Sequence, residues 1–184
     1  MYHFLRQNLF AELDSIEIVG HTEVTAGFHW IDGVRFDRPV PRETLLLDPT
    51  YGRSFPDYFD TTVPVMSQRM IDALRSFGVS NLDTYPVLLR NPEDGTERQD
   101  YQAVNLIGSV DAVDAAASPH RLRFGKPYYT GAIHIAPTRT AGLGAFRLTR
   151  GPGFIVVSDG LAQRIAGAAL RAVLLQPTVD YQGT

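Results

Sequence analysis

Val63-Pro64-Val65-Met66-Ser67-Gln68-Arg69-Met70-Ile71-Asp72-Ala73-Leu74-Arg75-Ser76-Phe77-Gly78 is the stretch on which the fold class turns. The run from Val63 to Met66 reads as a short strand. Ser67 then stands where an N-cap belongs, its hydroxyl able to accept from backbone N–H groups of the first turn. Met70, Ile71, Leu74 and Phe77 fall on one helical stripe, Gln68, Arg69, Asp72 and Arg75 fall on the other, and Gly78 suits the residue after the helix. The spacing predicts a helix to about Phe77, followed by a strand at Tyr85–Arg90. Near the C-terminus the order returns: Phe154-Ile155-Val156-Val157 as a buried strand, Ser158 as cap, a helix to about Ala172 with Leu161, Ile165 and Ala168 or Ala169 on its apolar stripe, then Val173–Pro177 as a strand. Serine caps and strand-to-helix turns recur widely, so the shared order is either common local chemistry or a duplicated unit.

Around these segments the chain is strand-rich. Ile16–Val19, Phe28–Ile31 and Thr44–Leu47 are short apolar pieces separated by Gly20, Gly27, Gly33, Pro39 and Pro41. Asp48–Asp60 holds two prolines and a glycine and is expected to lie on the surface rather than form a core strand. Asp94-Gly95 suits a hairpin turn with both central residues at positive φ, between Tyr85–Arg90 and Tyr101–Ile107. Ser118-Pro119 breaks the chain, with loop or edge strand expected from there to Pro127. Ile133–Ile135 and Ala145–Leu148 read as further short strands. The fold class is α+β: a mixed β-sheet, two short amphipathic helices and an irregular, strand-rich N-terminal part. Residues 1–62 form that part, within the same domain or as a small lobe, and residues 63–184 form the regular α+β domain.

The composition excludes several classes. At 184 residues with 44% hydrophobic and 20% charged side chains, the chain is expected to bury a core, and two independent domains are not expected. A formal charge of −3 supplies no basic field for a phosphate backbone, so no nucleic-acid partner is expected. The complete lack of cysteine excludes disulfides, thiolate catalysis and cysteine-ligated metals. No apolar run approaches the length of a membrane helix and no leader is visible, so a cytoplasmic protein without a membrane partner is expected. Lys126 is the only lysine beside sixteen arginines, a skew that fits a high-GC coding background.

No local catalytic signature emerges. The five histidines, His3, His21, His29, His120 and His134, never stand two or four apart as ligands on one face would, so no metal and no cofactor is expected. Thr140–Ala145 contains a G-x-G without the third glycine of a dinucleotide loop. Asp111 and Asp114 would share a face only if their stretch were helical. His120 lies in a loop beside Arg121 and Arg123 with no nucleophile adjacent. What remains is a candidate partner-binding surface: Tyr51, Arg53, Phe55, Tyr58 and Phe59 crowd one proline-stiffened loop, flanked by Asp48, Asp57 and Asp60, and tyrosine and arginine are types that concentrate binding energy. The competing reading tucks these aromatics under the loop to cover one end of the sheet.

The ordered series Val63–Ser67 before a helix, Tyr101–Asp114 with Ser118 after it, Ala145–Leu148, and Ile155–Ser158 before the last helix resembles the immunity-protein family numbered eleven of bacterial polymorphic toxin systems, over roughly residues 60 to 178. The resemblance implies a cytoplasmic protein that binds and neutralises a cognate toxin encoded nearby, and, with no local catalytic signature in the sequence, a binding protein rather than an enzyme is expected. It carries over no catalytic residue. Asp114 and Ser118 match recurrent positions of the family pattern, and the residues themselves read as structural. The alternative is an enzyme or small-ligand protein with a pocket assembled from His120, Asp111, Asp114 and Arg147.

Overall fold

The computed structural model describes residues 1–9, 15–20, 27–50 and 52–183. Fourteen strands are defined within them: β1 Tyr2–Gln7, β2 Glu17–Gly20, β3 Glu43–Asp48, β4 Tyr58–Phe59, β5 Val65–Ser67, β6 Leu82–Arg90, β7 Glu97–Arg98, β8 Tyr101–Leu106, β9 Ser109–Val110, β10 His120–Arg123, β11 Lys126–Tyr129, β12 Ala145–Leu148, β13 Ile155–Ser158 and β14 Val173–Pro177. The helices are α1 Gln68–Ser76 and α2 Asp159–Gly167. Strands β2-β3-β6-β8-β5-β4 form one mixed sheet, with β7 also on β6, and β14-β1-β13-β12-β9 form a second. β10 and β11 make a separate two-stranded hairpin. The fold is therefore α+β, as the residue pattern indicates.

Alternation along the strands sorts the apolar side chains into three cores. Leu5, Met66, Val104, Ile155 and Val157 point into a central core, joined by Met70, Ile71 and Leu74 of α1 and Leu161, Ala162 and Ile165 of α2. On the far face of the first sheet, Leu45, Leu47, Val65, Val87 and Ala103 pack with Trp30. On the far face of the second, Phe4, Phe146 and Val156 pack with Ala112, Ile133 and Tyr181.

Two halves of the molecule repeat one topology. β5 and β6 flank β8, antiparallel to both; β13 and β14 flank β1 in the same way. The registers coincide. Ser67 pairs with Tyr101 and Ser158 with Tyr2, each serine facing the first residue of the middle strand. Pro86 pairs with Gln102 and Pro177 with His3. Each helix is nine residues long and capped by its serine, and each is followed closely by a residue at positive φ, Gly78 at +92° and Ala169 at +50°. Even the outer strand corresponds, because Phe59 pairs with Val65 as Phe146 pairs with Val156. The common order of strand, cap, helix and strand is thus a duplicated unit. Its second copy is permuted, since its middle strand, β1, comes from the N-terminus.

Several local expectations change. α2 stops at Gly167 rather than near Ala172, because Ala169 and Ala172 take positive φ and the Arg171 N–H is drawn to a carboxylate 2.6 Å away. Phe28–Ile31 is not a strand; instead Phe28, Trp30 and Phe36 cluster with Tyr85, the Trp30 and Tyr85 rings meeting edge-on at 5.5 Å. Ile133–Ile135 makes one isolated bridge, Val113 to Ile135. In the hairpin after β6 only Gly95 has positive φ, at +73°. Asn91 and Asp94 accept from the Glu93 and Thr96 N–H groups, which builds a longer turn than the two-residue form. The Asp48–Asp60 segment is not wholly superficial, because Tyr58 and Phe59 form β4 and are fully buried.

Both cap serines use their hydroxyls, Ser67 Oγ accepting from Met70 N at 3.1 Å and Ser158 Oγ from Leu161 N at 3.4 Å. Removing a cap of this kind costs about 1 kcal/mol. Urea unfolding of Ser67→Ala should show a larger loss than Ser158→Ala, because Ser67 has the shorter bond and also donates to a buried carboxylate.

Candidate functional site

Asp57, one residue before β4, supplies that carboxylate. β4 pairs with β5 through Tyr58 and Met66, and this pairing carries Asp57 to the first turn of α1. Its Oδ1 accepts from Ser67 Oγ and from Arg69 Nε at 3.3 Å, and its Oδ2 accepts from Arg69 Nη2. Oδ2 also accepts from the backbone N–H of Arg171, in the connection between α2 and β14. The Asp57 N–H donates to Arg171 O at 3.0 Å and its carbonyl accepts from Ser67 N at 2.9 Å. One side chain thereby clamps the two duplicated units together. Burial works against its charge, but the hydrogen bonds from Arg69, Ser67 and Arg171 outweigh it and hold the Asp57 pKa below the usual carboxylate value.

Above Asp57 opens a cleft of about 380 Å³. Arg69, Arg171, Arg98, Asp100, Phe55 and Tyr101 line it. Arg98 and Asp100 form a two-point ion pair, and the Arg98 hydrogen bonds lower the Asp100 pKa. The Arg98 guanidinium also lies over the Phe55 ring at 4.7 Å, a cation–π contact. Tyr101 donates to Pro56 O at 2.9 Å, and burial pushes its phenol pKa up. The equivalent position in the second unit is a cleft of about 440 Å³ lined by Gly144, Ser158, Gly160 and Ser80. There Gly144 replaces Asp57, and Gly160 and Ser80 replace the two arginines. The first cleft gathers two ion pairs, Asp57 with Arg69 and Asp100 with Arg98, whereas the second holds Arg164, which donates to Phe77 O at 3.1 Å.

The loop residues singled out from sequence divide. Tyr51 lies outside the described residues. Tyr58 and Phe59 are buried core residues, Tyr58 in the central core and Phe59 in the outer one, so their side chains are not on offer to a partner in this fold. Phe55 is half-buried at the cleft and Arg53 is exposed nearby in sequence. The reading that tucks aromatics under the loop therefore describes Tyr58 and Phe59, while Phe55 keeps a place on the rim. In the sequence Asp57 is only a flank of the aromatic loop, and Arg69, Arg98 and Arg171 carry no signal of a site. No spacing marks Asp57 and Arg171 as partners, although Arg98-x-Asp100 is a readable same-face pair in an extended chain.

The dispersed polar residues do not converge. Asp111, in a non-helical stretch, pairs with Arg150. Asp114 Oδ1 accepts from Ala116 N at 3.1 Å and Ala117 N at 3.4 Å, closing its own turn. His120 Nδ1 lies 2.9 Å from Ser118 O, and Ser118 Oγ accepts from His134 N. Arg147 is buried in the central region, where Nη1 donates to Gly153 O and burial lowers its pKa. Nearby, burial raises the Asp60 pKa while Arg6 Nε donates to it at 2.6 Å. Among the described residues no group of three or more His, Asp or Glu side chains is placed to hold a metal ion. No helix among them is long and apolar enough to cross a membrane.

This is a two-sheet α+β protein built on a duplicated unit, and the cleft of the first copy gathers Asp57, Arg69, Arg98, Asp100 and Arg171 beside Phe55 and Tyr101. The immunity protein family (Imm11) matches residues 25–180, and the chain belongs to that family. No curated protein matches the chain.

The sign of the Asp57 pKa shift sets its pH behaviour. A carboxylate whose folded pKa lies below its unfolded value stabilises the fold fully above about pH 4 and loses that contribution as pH falls through the lowered value. Acid unfolding of Asp57→Asn should therefore be less steep than that of the wild type. At neutral pH Asp57→Ala should cost about 2 kcal/mol in urea unfolding, because the buried Ser67 Oγ and the Arg171 N–H lose their acceptor.

Proposed function

We propose that the chain is the cytoplasmic inhibitor of a cognate protein toxin encoded beside it, and that it acts by binding rather than by catalysis. Family membership supports the toxin-neutralising role. The observation that carries the site is the rim of the charged cleft, where Phe55 stands half-buried with the Arg98 guanidinium 4.7 Å from its ring centroid. An aromatic and an arginine held in place by the fold make an anchor that loses little conformational freedom on binding. Arg69 and Arg98 each share a carboxylate already, so the rim suits polar and aromatic contacts with a folded protein more than the capture of a free anion.

Co-expression with the neighbouring toxin domain tests this. The expected outcome is a complex on gel filtration and protected growth. Phe55→Ala and Arg98→Glu should each weaken the complex roughly tenfold or more while leaving the chain folded by circular dichroism. A wild-type chain that neither forms the complex nor protects growth overturns the reading.

A further inference from the structure

The β10–β11 hairpin concentrates features that the fold does not need. From Ser118 to Thr130 the sequence holds Arg121, Arg123 and Lys126 and no acidic residue, in a chain whose formal charge is −3. Every residue of β10 is exposed. Leu122 is 74% and Phe124 93% exposed. The base is fixed: Thr130 N donates to Pro119 O at 3.0 Å, and Tyr129 is buried in the outer core of the second sheet. The tip therefore projects from a rigid root.

Two details at the tip oppose stability. Phe124 and Gly125 both take positive φ, +50° and +73°, the two central residues of a tight hairpin turn that asparagine or glycine occupies with far less strain than a bulky aromatic. Arg123 and Lys126 stand directly opposite each other in the register, and like charges in that position repel. Within the described chain Phe124 meets the Arg123 guanidinium at 5.7 Å and is otherwise open. A strained, almost fully exposed aromatic between Arg123 and Lys126 is a feature that a partner outside the chain would account for.

We propose that this hairpin is a second toxin-contacting element, its Phe124 tip entering an apolar recess of the toxin whose edge carries carboxylates that meet Arg121, Arg123 and Lys126. The inference rests on the toxin-binding reading above and adds the chemistry of the partner. Alternation places Arg121 and Arg123 on one face of the hairpin and Leu122 on the other, so the finger offers one charged and one apolar side. Three cations on a net acidic chain are too few to hold a nucleic-acid backbone at ordinary salt. An exposed aromatic beside arginines is the composition of a protein-interface anchor.

The test uses the full chain and the co-produced toxin domain, with Phe124→Asn and the triple variant Arg121→Glu/Arg123→Glu/Lys126→Glu. Asparagine relieves the turn, so Phe124→Asn should raise the melting temperature of the free chain by about 1–3 °C while weakening toxin binding at least tenfold. Charge reversal should slow association at low salt at least tenfold and remove its salt dependence. A lower melting temperature for Phe124→Asn, or wild-type binding by both variants, overturns the proposal and leaves the toxin-binding reading in place. A wild-type chain that does not bind the toxin domain removes both. Hairpin-dependent self-association, or hairpin-dependent binding to duplex DNA or to anionic vesicles in place of the toxin, also overturns it.

Discussion

The contact between Asp57 and the connection that carries Arg171 governs how this molecule is assembled. Each duplicated unit is a small sheet with one helix, too little surface to bury an adequate core alone. The units become stable by sharing a core, and that requires their helix faces to meet in a fixed relation. Asp57 sets the relation with backbone and side chain together: it receives the cap serine and first-turn arginine of its own unit and the backbone of the other. A carboxylate at such a junction is tolerated because its hydrogen bonds exceed the cost of burial. The same contact ends α2 early and shapes the floor of the charged cleft, so architecture and candidate site depend on one side chain.

Duplication explains why the two clefts match in form and differ in charge. Where the first unit has Asp57, Arg69 and, across the junction, Arg171, the second has Gly144, Gly160 and Ser80. Both copies keep the backbone bond, Ser158 N donating to Gly144 O at 2.8 Å just as Ser67 N donates to Asp57 O, and in the second a side-chain amide closes the junction, Asn81 Nδ2 donating to Ala145 O at 3.0 Å. Its middle strand comes from residues 2–7, which places the N-terminal strand at the heart of the second sheet between β13 and β14. The charged cleft and the basic hairpin then lie on different parts of the frame, the first at the junction of the units and the second rooted in the outer core behind the second sheet.

Much of this frame is readable without coordinates. Ser67 and Ser158 announce their helices because a cap is satisfied within its own first turn, and the stripes of Met70, Ile71 and Leu74 and of Leu161 and Ile165 follow from helical period alone. The α+β class and the strands at Ala145–Leu148 and Val173–Pro177 are legible on the same grounds. Less legible is what depends on a distant partner. Tyr58 and Phe59 look like surface aromatics in a proline-rich loop until β4 is seen to pair with β5. Phe28 and Trp30 look like a strand until Phe36 and Tyr85 are seen to pack on them. The Phe124-Gly125 turn carries no familiar dipeptide signal, because phenylalanine is not a residue that a tight turn selects.

Local chemistry, acting over a few residues, therefore specified the two helices, their caps and several of the strands, and the order of motifs along the chain pointed to the immunity protein family. Folding in three dimensions specified which of those elements are copies of one another, which aromatics are core, and where charge gathers. Register, sheet order and the pairing of Asp57 with Arg171 join residues more than a hundred positions apart. Contacts at that separation are selected by the packing of the whole core, which no local window of sequence contains.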